Sequence, residues 1–343
     1  LRSVVRSEHG RGAADGDEDA YARTPRRGRG FRMDAPLRSA TWAASVAFRD
    51  QCEKDGLADW SLLPLLFRDS LENKELQLYD AILVDESQFF APVWFECIRR
   101  FLAPRGHLFL SADPTQGFLR RGTSWKSVGL SVHGRSRRLE RSHRSTRPIM
   151  GLAWSVWTTR SDPTDSDILV PQLDGMPEGP PPAWFGFPNT RSEHAWIEDQ
   201  VAAFVDGGGD PRHVLVLHND WTGATDLRDR LTTRLGKERV SEARDGSKHS
   251  TVRVCQLNSA TGLESPVVFV AGCQGIFERE GSPDLEPEDR LQARDEATRK
   301  FYMALTRAGW RRVVTSVGPL PPEIVAHFGR ADVSRSASSH NGS

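Results

Sequence analysis

Short apolar runs that end on acidic or polar residues constrain this chain more than any other feature. Ala81-Ile-Leu-Val84 leads into Asp85-Glu86, and His107-Leu-Phe-Leu-Ser111 leads into Ala112-Asp113. Runs this short, bounded by turn residues, suit strands of a parallel sheet buried on both faces. A helical stretch from Val93 to Phe101 lies between them, so the three segments form a βαβ-like unit. Farther along, Val214-Leu-Val-Leu217, Val252-Arg-Val-Cys-Gln256 and Val267-Val-Phe-Val270 repeat the strand signal, with helices expected near 192–205, 224–234 and 289–308. In the last of these Ala297, Phe301, Ala304, Leu305 and Ala308 recur at helical spacing, and Gly309 is the expected stop. The fold class expected is α/β with two parallel-sheet lobes. No internal repeat is evident.

A chain of 343 residues, 38% hydrophobic, can bury cores for two such lobes. No apolar run approaches the roughly 18 to 20 residues of a membrane span, and the Arg-rich start lacks the apolar centre of a signal peptide. The expectation is a cytoplasmic protein with no membrane partner. Cys52, Cys97, Cys255 and Cys273 stand far apart with no C-x-x-C pair, so they read as free thiols. Lys plus Arg and Asp plus Glu number 46 each, so any nucleic-acid contact must be local.

Residues 1–36 hold the acidic cluster Asp15, Asp17, Glu18, Asp19 and then Arg26-Arg27-Gly28-Arg29-Gly30. A stretch so poor in apolar residues reads as disordered. A helical pattern runs from Ala40 to Phe67, and a Pro/Asp/Gly-rich stretch from Ser161 to Pro182 reads as a loop or linker. The expected organisation is a first lobe over 37–135, a second over 136–332 and a disordered tail over 333–343.

Five segments, the second continued by a basic and aromatic run, carry chemistry. Asp85 and Glu86 emerge at the carboxyl end of a buried strand, where open α/β sheets bind ligands. Phosphoryl transfer from ATP needs one acid near Mg²⁺ and a second for the attacking water, and this pair fits both roles. Asp113-Pro-Thr-Gln116 ends the next strand, with an amide placed to sense a phosphate. Arg120-Arg121-Gly-Thr-Ser-Trp125-Lys126 then joins cations to an aromatic, the pairing that grips single strands by phosphate contact and base stacking. Arg138-Leu-Glu-Arg141-Ser-His143-Arg144-Ser-Thr146 is densely basic. Val254-Cys-Gln-Leu-Asn258-Ser259-Ala-Thr261-Gly262-Leu-Glu264 opens a strand into a polar turn whose glycine allows close backbone approach. Phe301-Tyr-Met-Ala-Leu-Thr306-Arg307-Ala308 ends an apolar helix face on a cation. Each has a plain structural alternative: a strand-end turn, a core tryptophan, a solvated arginine, or a cation on a helix dipole.

Their order along one chain is what discriminates. Asp-Glu-x-Gln, Ala-Asp-Pro-x-Gln, His-Arg-Ser-Thr, Ser-Ala-x-Gly-Leu-Glu and Ala-Leu-Thr-Arg-Ala resemble motifs II to VI of the UvrD, Rep and PcrA family of superfamily 1 DNA helicases, over roughly Tyr79 to Thr315. The resemblance implies P-loop NTPase architecture with RecA-like lobes and a second lobe that is complete. It implies ATP and Mg²⁺ as cofactors, and single-stranded or partly duplex DNA as partner, with RNA left open. Asp85 then matches the Mg²⁺-associated aspartate, Glu86 the catalytic base and Gln116 the coupling glutamine. Arg144 and Arg307 match the arginines that reach the γ-phosphate. Gln88, His143, Gly262 and Glu264 fall at nucleotide-binding positions, and Arg121, Trp125, Asn258, Ser259 and Thr261 at strand-contacting ones. The implied activity is 3′ to 5′ translocation and strand separation.

The chain departs from that pattern in places. No G-x-x-x-x-G-K-[ST] loop occurs in it, so the first lobe is expected to be truncated and the chain inactive alone. Phe89 stands where the family has Asp, His143 where it has Tyr, and Asn258 and Thr261 where it has His and Lys. The alternative is a non-catalytic nucleic-acid-binding or scaffold remnant of a helicase fold.

Overall fold

The structure is a computed structural model and describes residues 18–23, 33–58, 63–90, 92–113, 130–131, 134–137, 139, 144–161, 170–243, 250–260 and 262–328. The chain divides into two compact units, Leu1–Arg137 with Leu285–Asp289, and Arg138–Asp284 with Arg290–Ser343.

In the first unit, β1 (Tyr79–Val84) and β2 (Leu102–Leu110) pair in parallel, with Ala81 opposite His107 and Val84 opposite Leu110. The register shifts between Tyr79 and Ala81, and only the part of β2 from His107 onward continues regularly. Pro104 within β2 has no N–H to give a ladder, which is why the sequence signal begins at His107. Helix α4 (Pro92–Arg100) crosses between the two strands and buries Val93, Phe95 and Cys97, completing the βαβ unit read from sequence. Two longer helices precede it, α2 (Ala35–Lys54) and α3 (Leu63–Ser70). Asp34 caps α2 by accepting from Leu37 N at 2.9 Å.

A short helix, α1 (Glu18–Arg23), forms inside the stretch that composition reads as structureless. Its Tyr21 ring lies 5.5 Å from that of Trp42 on α2, and both are buried. A tyrosine that finds a tryptophan to cover gains what six polar-rich residues cannot supply among themselves.

The second unit carries a six-stranded, all-parallel sheet in the order β3-β8-β7-β4-β6-β5. The strands are β3 (Ala183–Phe187), β4 (Val214–His218), β5 (Val240–Glu242), β6 (Val252–Gln256), β7 (Ser265–Ala271) and β8 (Ala308–Val317). Strand β4 is buried at every position, as a continuous apolar run predicts. Helices α6 (Thr190–Asp206) and α7 (Trp221–Leu235) set Ile197, Val201, Leu227 and Leu231 against Val214, Val216, Phe269 and Val313. The remaining helices are α5 (Arg147–Arg160), α8 (Gln274–Phe277), α9 (Pro287–Leu305) and α10 (Pro322–Val325). A parallel-sheet α/β architecture is thus present, in agreement with the fold class expected.

Three strands lie outside the sequence expectations, β3, β8 and the three-residue β5. Helix α9 ends at Leu305, and Ala308 opens β8 instead of closing the helix. The apolar helical spacing ran through Ala308 because a strand lying between β3 and β7 buries the same residue types. Strand β3 was hidden by Gly186 and the prolines that precede it.

Candidate functional site

At the carboxyl end of β1, Glu86 adopts φ +51°, a left-handed conformation that is uncommon without glycine and concentrates at functional sites. Asp85 Oδ1 accepts from Glu86 N at 2.9 Å, which holds the turn. Gln88 bridges the two strand ends: its Nε2 donates to Glu86 Oε2 at 2.5 Å, and its Oε1 accepts from Asp113 N at 3.0 Å. Ser87 adds two bonds to Ser111 O, from its N at 2.9 Å and its Oγ at 2.7 Å. Asp85 is exposed and Glu86 half-buried, so both carboxylates reach solvent from a backbone that is tied down. An exposed carboxylate on a fixed strand end has the chemistry that Mg²⁺ requires.

In the second unit three segments distant in sequence meet at the amino end of β7 and β8. Ser265 and Ala308 are register partners there, and Ser265 N donates to Arg307 O at 3.2 Å. Ser145 Oγ donates to Ala308 O at 2.9 Å, which brings in the start of α5. A Cβ on Gly309 would stand 3.4 Å from Arg144 O, 3.7 Å from Pro266 Cα and 3.8 Å from Ser265 O, so the three backbones pack closely. Arg144 forms an ion pair with Glu264, each side chain about half exposed. A pair so open to water contributes little stability.

Between β6 and β7 the chain crosses β4 in residues 257–264, eight residues where parallel strands ordinarily need a dozen or more. Leu257 and Ala260 are fully buried and anchor this crossover, and Arg253 donates to Glu264 O at 2.6 Å. Gly262 turns it at φ +75°, and nothing lies within 4 Å of where a Cβ would be. That open space permits close approach of a ligand to the backbone. Asn258 and Ser259 form a 3-10 turn at its start, at the carboxyl end of β6. They therefore lie at the opposite end of the strands from Glu264.

Arg307 is 1% exposed and donates through Nε to Met303 O at 3.2 Å. Beside it lies Arg312 on β8, a residue that sequence reading did not single out. Arg312 is fully buried, and Leu305 O accepts from its Nε at 3.0 Å and from its Nη2 at 2.5 Å. Burial, and then the like charge of Arg307, lower its pKa. A guanidinium starts so high that it stays charged at neutral pH, so two like charges share this corner of the core. Periodicity could not reveal this, because Arg311-Arg312 reads as a polar surface pair.

Of the sequence-predicted residues, Asp85, Glu86 and Gln88 are brought together in the first unit. Arg144, Glu264 and Arg307 are brought to the amino end of β7 and β8 in the second, with Gly262 on the crossover that leads to Glu264. Gln116, Arg121, Trp125, His143 and Thr261 lie outside the described residues.

No family model matches the chain. Among curated proteins it is similar to DNA helicase II of Haemophilus influenzae, 24% identical over 172 residues, covering 47% of this chain and 23% of that protein. The chain thus spans under a quarter of the length of that relative. Among solved structures it is similar to the C-terminal domain of a possible DNA helicase from Lactobacillus plantarum, at TM-score 0.38 and 20% identity, over 55% of this chain and 96% of that one. It is also similar to the arterivirus nonstructural protein 10 helicase, at TM-score 0.31 and 14% identity, over 72% and 41% of the two chains. Among the described residues no helix is long and apolar enough to cross a membrane.

Proposed function

We propose that this chain is part of an ATP-driven helicase motor of the UvrD-like kind, acting on single-stranded or partly duplex nucleic acid. One observation carries the reading. Three segments distant along the chain, around Arg144, Glu264 and Arg307, converge on one end of one parallel sheet. Core packing alone does not call for an arginine, a carboxylate and a second arginine at one end of a sheet.

In this reading Arg144 is held by Glu264 until phosphate charge draws it away. Arg307, with Arg312 behind it, supplies cations whose mutual repulsion an anion relieves. Such groups stabilise charge that develops in the transition state. The resemblance gives Glu86 the proton of the attacking water and gives Asp85 the place beside Mg²⁺. When bound, that ion would neutralise phosphate charge. Gln88 positions Glu86 and ties it to Asp113, so that a change at one strand end is passed to the other.

The decisive experiment is DNA-stimulated ATP turnover by the protein expressed with its complete reading frame. Glu86→Gln is expected to lower turnover by about 10²- to 10⁴-fold, the usual worth of a general base, while leaving ATP binding intact. Turnover unchanged in that variant overturns the base assignment. Nucleic-acid binding without turnover in the native protein favours the scaffold reading instead.

A further inference from the structure

At the opposite end of the same sheet, about 20 Å along β7 from Glu264 at some 3.3 Å per residue, lies a second cluster that the reading above does not use. Glu193 and His194 stand on the first turn of α6, and His218 is the last residue of β4. Their exposures are 0%, 1% and 4%. One donor atom from each lies within 4.8 Å of the others. We infer that Glu193, His194 and His218 form a binding site for a divalent zinc-type metal ion that clasps α6 to the sheet.

The hydrogen bonding leaves one ligand atom free on each residue. Glu193 Oε1 accepts from Thr315 Oγ1 at 2.6 Å and from Gly272 N at 3.0 Å, while its Oε2 is buried and has no hydrogen-bond partner among the described residues. His194 Nδ1 lies 2.6 Å from Asp226 Oδ2, and its Nε2 is likewise buried without a hydrogen-bond partner. An imidazole backed by a carboxylate on its far nitrogen is the usual arrangement of a metal-ligating histidine. His218 Nδ1 lies 3.2 Å from Asp220 O and from Asp220 Oδ2 and 3.1 Å from Asp220 N, which can donate to it; in the tautomer whose Nδ1 proton points to either oxygen, the Nε2 lone pair faces the cluster.

The surroundings are shaped to hold the His218 ring in place. A Cβ on Gly223 would run into that ring, and one on Gly272 would come within 2.7 Å of its Nε2. The His194 and His218 rings meet edge to face at 5.3 Å. No Lys or Arg among the described residues makes an ion pair with Glu193. A carboxylate removed from water in this way needs a cation, and two imidazoles with one carboxylate are a donor set that zinc accepts. Tetrahedral zinc with bonds of about 2.1 Å sets its ligands about 3.4 Å apart, so the cluster closes on it by shifts of at most about 1.4 Å.

The test uses the protein without a histidine tag, stripped by a chelator and titrated with Zn²⁺ and separately with Co²⁺. We expect one equivalent bound per chain, visible Co²⁺ absorption of a four-coordinate site, and two imidazole scatterers in zinc X-ray absorption of the native protein. Glu193→Gln keeps an acceptor for Gly272 and Thr315 but removes the charged ligand, and should abolish the Co²⁺ bands. Asp226→Asn should weaken Zn²⁺ binding by about 10- to 100-fold. Failure of the native protein to bind stoichiometric Zn²⁺ overturns the inference. So does an absorption spectrum without imidazole scatterers, which needs no variant to fold. Binding unchanged in Glu193→Gln places the ion elsewhere and also overturns it.

Discussion

Arg160 shows what one buried charge can organise. Its side chain is fully covered at the end of α5, paired with Glu280 and with Glu323, the latter at 2.5 Å. Its Nε donates to Thr298 Oγ1 at 3.1 Å, and the guanidinium lies 5.2 Å from the centre of the Phe277 ring. One cation therefore joins α5, α9 and α10. Removing one partner of a buried pair strands the other, so Arg160→Ala should cost about 3–5 kcal/mol in urea denaturation. A loss under about 1 kcal/mol would mean that Glu280 and Glu323 find water instead. Gly223 presents a contest of signs. Replacing glycine by alanine near a helix start ordinarily gains a few tenths to about 1 kcal/mol, whereas overpacking costs about 1–3 kcal/mol. The His218 ring that a new Cβ would strike is itself backed by His194, so the second effect wins and Gly223→Ala should lower the melting temperature. A higher one would show that the ring is free to move.

At the scale of elements, the helix starts follow local chemistry closely. Asn189 Oδ1 accepts from Ser192 N at 2.9 Å to open α6, and Asp220 Oδ1 accepts from Gly223 N at 2.8 Å to open α7. Both caps fall one residue before the first helical position. Asn189→Ala should therefore cost about 1 kcal/mol in chemical denaturation, with the denaturant slope unchanged. A neutral outcome would assign the helix start to Glu193 and its bonds to Gly272 and Thr315 instead. Strands were legible in proportion to their apolar character. Val252–Gln256 was delimited residue for residue, and Val214–His218 fell short by one. Ala183–Phe187, Val240–Glu242 and Ala308–Val317 escaped, because a Gly-containing run after prolines, a run of three residues and a run with two arginines carry no period-2 or continuous apolar signal.

For the whole molecule, the cavity that would cradle phosphates requires a loop of backbone donors, a lysine and a hydroxyl, and no segment of these 343 residues has that pattern. This chain by itself should therefore show no Mg²⁺-dependent ATP hydrolysis above a protein-free blank. Hydrolysis that rises with chain concentration and vanishes in Glu86→Gln would show that Asp85, Glu86 and the arginines suffice without it. The two-stranded sheet of the first unit leaves Leu83 and its register partner Phe109 exposed, at 74% and 63%. The six-stranded sheet of the second is covered by α6 and α7. Its residues form a hydrophobic core that the first unit's two strands do not match.

By itself the sequence determined the α/β class, the strands of greatest apolar continuity and the order of the motif-bearing segments. These properties depend on local composition and spacing, which a chain carries whether folded or not. Only the tertiary structure decided that Arg144 would meet Glu264, that Arg312 would be buried beside Arg307, and that Glu193, His194 and His218 would converge. Strand order decides which loop ends share an edge, and the energy that selects it comes from apolar faces far from those ends. No residue in the loops carries that information.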